Sequence, residues 1–214
     1  MNKHVNKIEK LLTELCPNGV EYRLLGEIAE LVRGNGLQKK DFIESGVGCI
    51  HYGQIYTFYG LFAATTKSFV SHELARTLRK VNTNDIVITN TSENVEDVCT
   101  PVVWLGKDEI VTGGHATIIK HGQNAKYLAY YFMTAEFANQ KRKLATGTKV
   151  IDVSATNLAK VRIPLPPLAV QGEIVRILDN FTTELKAELE AELEARKKQY
   201  EYYRDQLLTF DRQT

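Results

Sequence analysis

The sequence predicts an α+β fold, a globular mixed α/β head followed by one long C-terminal helix. Segments rich in β-branched residues and bounded by Gly, Asn or Asp alternate with short helical patterns over residues 20–165. Three of the five prolines fall within residues 163–168, where they favour an extended hinge, and residues 169–208 hold none. With 214 residues, 43% of them hydrophobic, the chain is large and apolar enough to bury a core.

The elements of the head are predicted in chain order. Residues 1–19 form an N-terminal helix, because Val5, Ile8, Leu12 and Leu15 recur at helical spacing before the Cys16–Gly19 turn. Within the head, residues 20–167, helices are expected at 24–32, 71–81 and 124–145, with Ser71 and Asn124 as N-caps. Strands are expected at 48–55, 85–91, 99–106 and 109–121, in an antiparallel or mixed sheet.

The C-terminal segment, residues 168–210, predicts a single helix of roughly 60 Å. Apolar residues recur along one narrow stripe between charged flanks, and a small head cannot cover a stripe that long. The segment therefore needs a partner helix, which we expect to pair as an antiparallel coiled coil. The seam consists of Leu178, Phe181, Leu185, Leu189, Leu193, Tyr200 and Leu207.

The net charge of +1 conceals two regions of opposite sign. Residues 1–167 carry 20 Lys or Arg against 16 Asp or Glu, whereas residues 168–208 carry 6 against 9. A mildly basic head remains compatible with local nucleic-acid contacts. No apolar run is long enough to span a bilayer, and no signal peptide is recognisable, so a membrane role is not expected. Three widely spaced cysteines indicate reduced thiols in a cytoplasmic protein.

Catalytic and metal-binding motifs are not found. The sequence has no Walker loop, dinucleotide fingerprint, metalloprotease motif or nucleophile elbow, and its five histidines lack metal-ligand spacing. We therefore expect neither catalytic residues nor a metal site. A Cys99–His115 nucleophile pair is the one enzymatic arrangement left open, against the plainer interpretation of Cys99 as a buried structural residue.

Three polar segments predict a DNA-reading surface. Amides and carboxylates can pair with base edges, hydroxyls serve either as donors or acceptors, and basic loops approach phosphates. Ordinary loop chemistry explains such residues equally well from composition alone. The candidates lie in loops around 51–60, 89–97 and 146–150 and at the basic helix end that leads into the third loop: His51, Tyr52, Gln54, Thr57, Asn90, Ser92, Glu93, Asn94, Lys141, Arg142, Lys143, Thr148 and Lys149.

Three stretches closely resemble the specificity subunit of type I restriction–modification systems: LGEIAE at 25–30, residues 147–181 and residues 196–210. SENVEDV at 92–98 and GGHATII at 113–119 are similar to one class of that family's target recognition domain. The resemblance implies that residues 20–167 read a few base pairs of double-stranded DNA. It also implies that residues 168–210 act as a spacer, a dimerisation element and a docking site for modification subunits.

The same resemblance assigns chemistry to partner subunits and none to this chain. Modification subunits would carry S-adenosylmethionine and methylate adenine N6, and restriction subunits, if present, would use ATP and Mg²⁺. This chain would direct both activities as a non-catalytic specificity subunit without a cofactor of its own. An independent enzyme is a third and weaker hypothesis.

Length is the main departure from the family. Full-length members carry two recognition domains and two conserved helices in tandem, whereas this chain resembles one half, whether truncated, split or engineered. We expect a homodimer with two identical heads, which would read a palindromic, interrupted site. The alternative is a structural or antirestriction-like protein that binds methyltransferase subunits without reading DNA.

Overall fold

The computed structural model describes residues 2–210, with side chains from residue 7 onward. The chain divides between residues 172 and 173 into two compact units. The first unit holds all the strands and the short helices, and the second consists largely of one helix. The α+β class and the long C-terminal helix are therefore confirmed.

The secondary structure is as follows. The helices are α1 Asn2–Leu15, α2 Leu25–Ile28, α3 Tyr52–Thr57, α4 His72–Thr77, α5 Ala125–Phe132, α6 Ala135–Leu144, α7 Ala155–Leu158 and α8 Leu168–Leu208, with a 3-10 turn at Lys39–Asp41. The strands are β1 Tyr22–Leu24, β2 Ala29–Arg33, β3 Val47–Ile50, β4 Phe62–Ala63, β5 Ser68–Val70, β6 Arg79–Val81, β7 Ile86–Thr89, β8 Thr91–Ser92, β9 Pro101–Trp104, β10 Ile110–Thr112, β11 Ala116–His121, β12 Ile151–Asp152 and β13 Arg162–Pro164.

Two mixed sheets form the body of the first unit. The five-stranded sheet has the order β2-β11-β7-β9-β4 and is antiparallel except for the β4–β9 pair. The four-stranded sheet has the order β5-β3-β10-β6 and is antiparallel except for the β3–β10 pair. Two short antiparallel pairs, β1–β13 and β8–β12, complete the described strand pairings.

The main core lies between the two larger sheets. Ile50 and Ile110 of the four-stranded sheet pack in one cluster with Val87, Val102 and Ile118 of the five-stranded sheet. The alternating neighbours of these residues along β3 and β10 belong to a second cluster, which includes residues of α4. This alternation follows from the two-residue period of a strand and buries the four-stranded sheet on both faces.

Several predicted elements were too long. Only residues 25–28 of the predicted helix 24–32 are helical, because Ala29–Arg33 pairs with β11 as strand β2. The predicted helix 71–81 ends at Thr77, and its last residues form β6. The predicted helix 124–145 is two helices, since the Thr134 side chain accepts a hydrogen bond from Phe137 N and starts a new one.

Two predicted strands were also divided. The strand expected at 48–55 ends at Ile50, because the His51 side chain accepts a hydrogen bond from Gly53 N and the Gln54 side chain accepts one from His51 N, which begins α3. The strand expected at 109–121 breaks at Gly113 and Gly114. This break carries the chain from one sheet to the other, past Gly34, where an added Cβ would lie 2.2 Å from the Gly113 carbonyl oxygen.

The predicted N-caps are confirmed. The Ser71 hydroxyl accepts a hydrogen bond from Leu74 N, and the Asn124 side chain accepts one from Tyr127 N. Along the buried face of α5, the Tyr127 hydroxyl donates to the Pro164 carbonyl oxygen at 2.8 Å. The N-terminal helix also forms, over Asn2–Leu15, although the Val5 side chain lies outside the described residues.

Helix α8 spans 41 residues, Leu168–Leu208, as its proline-free sequence predicts. Its first residues are anchored within the first unit by Gln171, which is completely buried. The Gln171 side chain accepts a hydrogen bond from Asn124 N and donates to the Gln123 side chain and the Pro166 carbonyl. Every side chain of residues 180–210 is exposed.

Candidate functional site

A cleft of about 530 Å³ opens on the first unit where the three predicted DNA-reading segments converge. Helix α3, the β8 region and the loop before β12 each contribute to its walls. The lining residues are Tyr52, Tyr56, Thr57, Thr91, Ser92, Glu93, Asn94, Asp97, His115 and Val150. Segments far apart in sequence thus present hydroxyl, amide, carboxylate and aromatic groups to one space.

Asn90 holds three strands together directly behind the cleft. Its carbonyl oxygen accepts a hydrogen bond from Val153 N at 2.9 Å, and its side-chain Nδ2 donates to the Val153 carbonyl oxygen at 2.8 Å. Its Oδ1 accepts from the Thr117 hydroxyl at 2.9 Å, and its backbone N donates to the His115 carbonyl. Asn90 is completely buried, so its amide fixes the relative positions of β8, β11 and the segment after β12.

A row of rings forms one wall of the cleft. The Tyr52 ring lies 4.7 Å from the His115 ring and 4.6 Å from the His51 ring, measured between centroids. The His115 Nδ1 is 3.1 Å from the Thr91 hydroxyl, and the Tyr56 hydroxyl donates to the Thr91 carbonyl. Contacts between α3, β8 and the turn before β11 therefore set the shape of this wall.

His51 supports the row from beneath. Its Nδ1 accepts a hydrogen bond from Gly53 N, and its side chain is nearly buried. Burial lowers the pKa of His51 below its ordinary value, and the positive charge of Lys39 lowers it further. The imidazole is therefore neutral near pH 7 and serves as the N-cap of α3.

The opposite wall is a self-bonded loop, residues 92–98. Asn94 Nδ2 donates to the Asp97 carboxylate at 2.6 Å, and Asp97 N donates back to Asn94 Oδ1 at 2.8 Å. Lys141 holds the far end of this loop, because its amino group donates to the carbonyl oxygens of Glu96 and Val98 at 2.6 and 2.7 Å. Burial lowers the pKa of Lys141.

Four predicted DNA contacts are corrected by this geometry. His51, Gln54, Asn90 and Lys141 are each less than a tenth exposed, and their polar groups serve internal hydrogen bonds. Gln54, for example, donates to the Ser68 hydroxyl at 2.6 Å and accepts from His51 N. These side chains shape the cleft, but they cannot reach DNA without breaking bonds that hold it together.

The other predicted residues remain accessible. Tyr52, Thr57, Ser92, Glu93 and Asn94 line the cleft itself. Four more are exposed without lining it: Arg142, Lys143, Thr148 and Lys149. Their contact with DNA stays a prediction.

Charge on these accessible residues is unevenly compensated. Arg142 lies 3.8 Å from Glu96 in an exposed ion pair. Within residues 7–210, the side chains of Glu93, Lys143 and Lys149 have no hydrogen-bond or ion-pair partner. These three charges are thus available to a ligand without the loss of an internal contact.

Sequence reasoning missed five lining residues: Tyr56, Thr91, Asp97, His115 and Val150. Tyr56, Thr91 and Asp97 lie inside the segments that had been singled out, so the signal for them was present. His115 is brought to Thr91 by the pairing of β11 with β7, which no local pattern reveals. Val150 follows the basic loop and, being apolar, offered no polar signal.

The arrangement contradicts a cysteine nucleophile. Cys99 is 2% exposed, and burial raises the pKa of its thiol to about 12. A thiol that is protonated and shielded from solvent is a poor nucleophile. Among the described side chains, no three of His, Cys, Asp and Glu form a group that could hold a metal ion.

The predicted seam of α8 is a row of apolar side chains on the second unit. Leu185, Leu189 and Leu193 are each more than half exposed, as are Tyr200 and Leu207, and Phe181 is nearly so. Leu178 is half-buried. Among residues 2–210, none of the helices combines the length and apolar composition needed to span a bilayer.

The α+β head carries a polar and aromatic cleft built from loops, and the long helix bears exposed apolar side chains. These two features together define a recognition module. Residues 17–195 match the family described as the type I restriction modification DNA specificity domain. The chain belongs to this family.

Curated and solved proteins agree with that membership. The chain is 49% identical over 92 residues to the specificity subunit of the type I restriction enzyme EcoR124I/EcoR124II from Escherichia coli, which covers 40% of this chain and 21% of that one. It is 50% identical over 96 residues to the EcoprrI specificity subunit, also from Escherichia coli, covering 40% and 23%. The chain thus matches less than a quarter of either relative's length.

The fold is that of a solved specificity subunit. The crystal structure of the HsdS subunit from Thermoanaerobacter tengcongensis superposes with a TM-score of 0.59 at 18% identity, over 88% of this chain and 45% of that one. A chain from a structure of a type I R-M system gives 0.63 at 18%, over 92% and 51%. At this identity the likeness concerns the fold alone.

Proposed function

We propose that this chain is a non-catalytic, cytoplasmic DNA sequence-recognition subunit of a type I restriction–modification complex. The observation that carries the proposal is the convergence of two separate polar segments and the loop before β12 on one cleft, in a chain of the DNA specificity domain family. Base edges are read by hydrogen-bonding side chains and by apolar contacts, and the cleft offers both.

The cleft has the chemistry of base recognition more than of phosphate binding. Glu93 is an exposed, unpartnered carboxylate at its wall, which would repel a phosphate but accept a hydrogen bond from a base amino group. Basic side chains stand outside the lining, at Arg142, Lys143 and Lys149. Phosphate contacts at the edge and base contacts inside the cleft are the division of labour that sequence-specific binding uses.

The proposed assembly is a homodimer through α8. The exposed row from Phe181 to Leu207 recurs at intervals of four or seven residues, so that it lies on one face of the helix. A second copy in antiparallel orientation would cover this row and give two identical heads related by a twofold axis. Such a dimer reads a palindromic, interrupted site.

Chemistry in this proposal belongs to partner subunits. Modification subunits, docked on α8, would supply S-adenosylmethionine and methylate adenine N6, and restriction subunits, where present, would use ATP and Mg²⁺. The specificity subunit contributes the choice of site. The assignment rests on the family resemblance, and the names of the relatives, specificity subunits of type I restriction enzymes, support the role in site choice.

The direct test combines the chain with cognate modification subunits and maps N6-methyladenine in genomic DNA. A single palindromic motif with an unspecified spacer is the expected result. Glu93→Ala should change or weaken the motif, whereas Glu44→Ala, an exposed carboxylate that does not line the cleft, should leave it intact. Assembly with the modification subunits but no defined motif would instead favour a non-reading, antirestriction-like protein.

A further inference from the structure

Val150 differs chemically from every other residue of the cleft. Of the ten described residues that line it, Val150 is the one aliphatic side chain, and it is 59% exposed. It follows Thr148 and Lys149, which are exposed and polar. An exposed valine that faces a polar cleft is unpaired apolar surface at the place where a ligand is expected.

The loop that carries Val150 is held at its base by hydrogen bonds. Thr146 N donates to the Asp152 carbonyl at 2.9 Å, and Asp152 N donates to the Thr146 carbonyl at 2.8 Å, which closes the loop at its base. Gly147 adopts a φ of +97°, and an added Cβ there would lie 2.0 Å from the Val150 carbonyl oxygen. Val150 therefore lies between the turn at Gly147 and the hydrogen-bonded base of the loop.

The C-terminal end of this loop pairs with strand β8, whose residues also line the cleft. Ile151 and Asp152 pair with Ser92 and Thr91 in the β8–β12 ladder. Val150 immediately precedes this ladder. It therefore lies near the hydroxyl and carboxylate groups of residues 91–93. A base edge that enters the cleft would meet polar groups from β8 and one apolar group from the loop.

We propose that Val150 is a specificity-determining residue that contacts the 5-methyl group of a thymine in the major groove. The thymine methyl is the apolar group that base pairs display there, and aliphatic side chains recognise it by contact. The inference rests on the proposed DNA-reading function and adds to it a base and a residue. Adjacent Lys149 has no base preference in this scheme, since its charge suits a phosphate.

The test uses the whole chain and duplexes that differ by one methyl group. A preferred duplex is first selected from a random pool, and each of its thymines is then replaced singly by uracil, which lacks only the 5-methyl. At one position of each half-site, and so at two symmetry-related thymines of a palindrome, each single replacement should weaken binding of the wild-type chain about threefold to fivefold, the effect of removing one buried methyl group from an apolar contact.

Val150→Ala completes a double-mutant cycle with the replacement of thymine by uracil. This variant should bind the thymine and uracil duplexes equally well at that position, with about the affinity of the wild-type chain for the uracil duplex. Met133→Ala, an equally exposed apolar residue that does not line the cleft, should keep the full thymine–uracil difference. Unchanged thermal unfolding confirms that each variant remains folded.

The outcomes separate the two proposals. A preferred site in which no thymine responds to uracil, or in which wild type and Val150→Ala respond alike, overturns the role of Val150 and leaves DNA reading intact. A pool that yields no preferred sequence overturns both.

Discussion

The head and the C-terminal helix satisfy their side chains in opposite ways. In the head, polar groups such as the Asn90 amide and the Thr117 hydroxyl are completely buried and hydrogen-bonded within the unit. Along residues 180–210 every side chain is exposed, including Leu185 and Leu193. Burial is what stabilises a folded unit, so the head is complete as it stands, whereas the helix has its apolar surface still to cover.

The difference separates reading from assembly. Substitutions inside the head should act on its stability and on the shape of the cleft, whereas substitutions on the seam should act on association. Exposed ion pairs such as Glu192–Arg196 and Glu194–Lys198, at 3.8 and 3.5 Å, support the helix only weakly. Substitutions on the seam are therefore the most direct test of this difference between head and helix.

The largest effect is expected from Leu185→Glu. An unpaired carboxylate in an apolar helix interface costs about 3–5 kcal/mol, and a twofold axis places two of them in each dimer. The variant should sediment as a monomer at concentrations where the wild-type chain is a dimer. Ala187→Glu adds the same charge on the opposite face of the helix and should remain dimeric. A monomeric wild-type chain would falsify the dimer itself.

The head should respond most to Asn90→Ala. The change leaves the Val153 carbonyl and the Thr117 hydroxyl without their partners in a buried site. We expect the free energy of unfolding to fall by about 2–4 kcal/mol, measured by denaturant titration. Asn94→Ala, whose side chain is exposed, should cost far less. Equal losses would show that Asn90 is not the tie between the three strands.

The sequence predicted the helix better than the head, for a physical reason. A long helix is specified by local periodicity, so the spacing from Leu178 to Leu207 was sufficient. In the head, pairing between distant strands overrides the local pattern. The local sequence of Ala29–Arg33 predicts a helix, but the segment forms a strand because it pairs with β11. The local pattern of residues 109–121 likewise did not reveal that Gly113 and Gly114 divide them between two sheets.

The site was predictable in outline and not in detail. Amide and carboxylate segments indicated which loops converge, but residue type alone cannot tell an internal hydrogen bond from an available one. Asn90 and Asn94 look alike in sequence, yet Asn90 is completely buried and Asn94 lines the cleft. Val150 carries no polar group at all and becomes visible only once the cleft is assembled.

Lys149→Ala should leave the stability of the head unchanged and weaken its binding to DNA. The amino group is exposed and has no partner among the described residues. Loss of one phosphate contact should cost about 1–2 kcal/mol and reduce the salt slope of binding by about one. Affinity measured at several salt concentrations gives both. Lys107→Ala, an exposed lysine in the connection between β9 and β10, is the control, and an equal effect from it would leave Lys149 as general surface charge.

The smallest expected effect is a pH dependence confined to the head. Burial lowers the pKa of His51 and of His121 below the ordinary 6.5, whereas residues 173–210 contain no histidine. Below about pH 6.5 the unfolded chain binds protons that the folded head does not. The free energy of unfolding therefore decreases as the pH is lowered, by up to about 1.4 kcal/mol per pH unit for each imidazole. Above pH 6.5 the full stability is present.

His51→Asn isolates one of these contributions. Asparagine retains an acceptor for Gly53 N at the start of α3 but does not titrate. Unfolding of this variant between pH 6.5 and 5.5 should therefore depend less steeply on pH than that of the wild-type chain, and identical slopes would count against a buried, neutral His51. Dimer dissociation should stay nearly flat over the same interval, because residues 173–210 contain no histidine. A decline shared by both measurements would mean that head and helix are not the independent units that their opposite patterns of burial indicate.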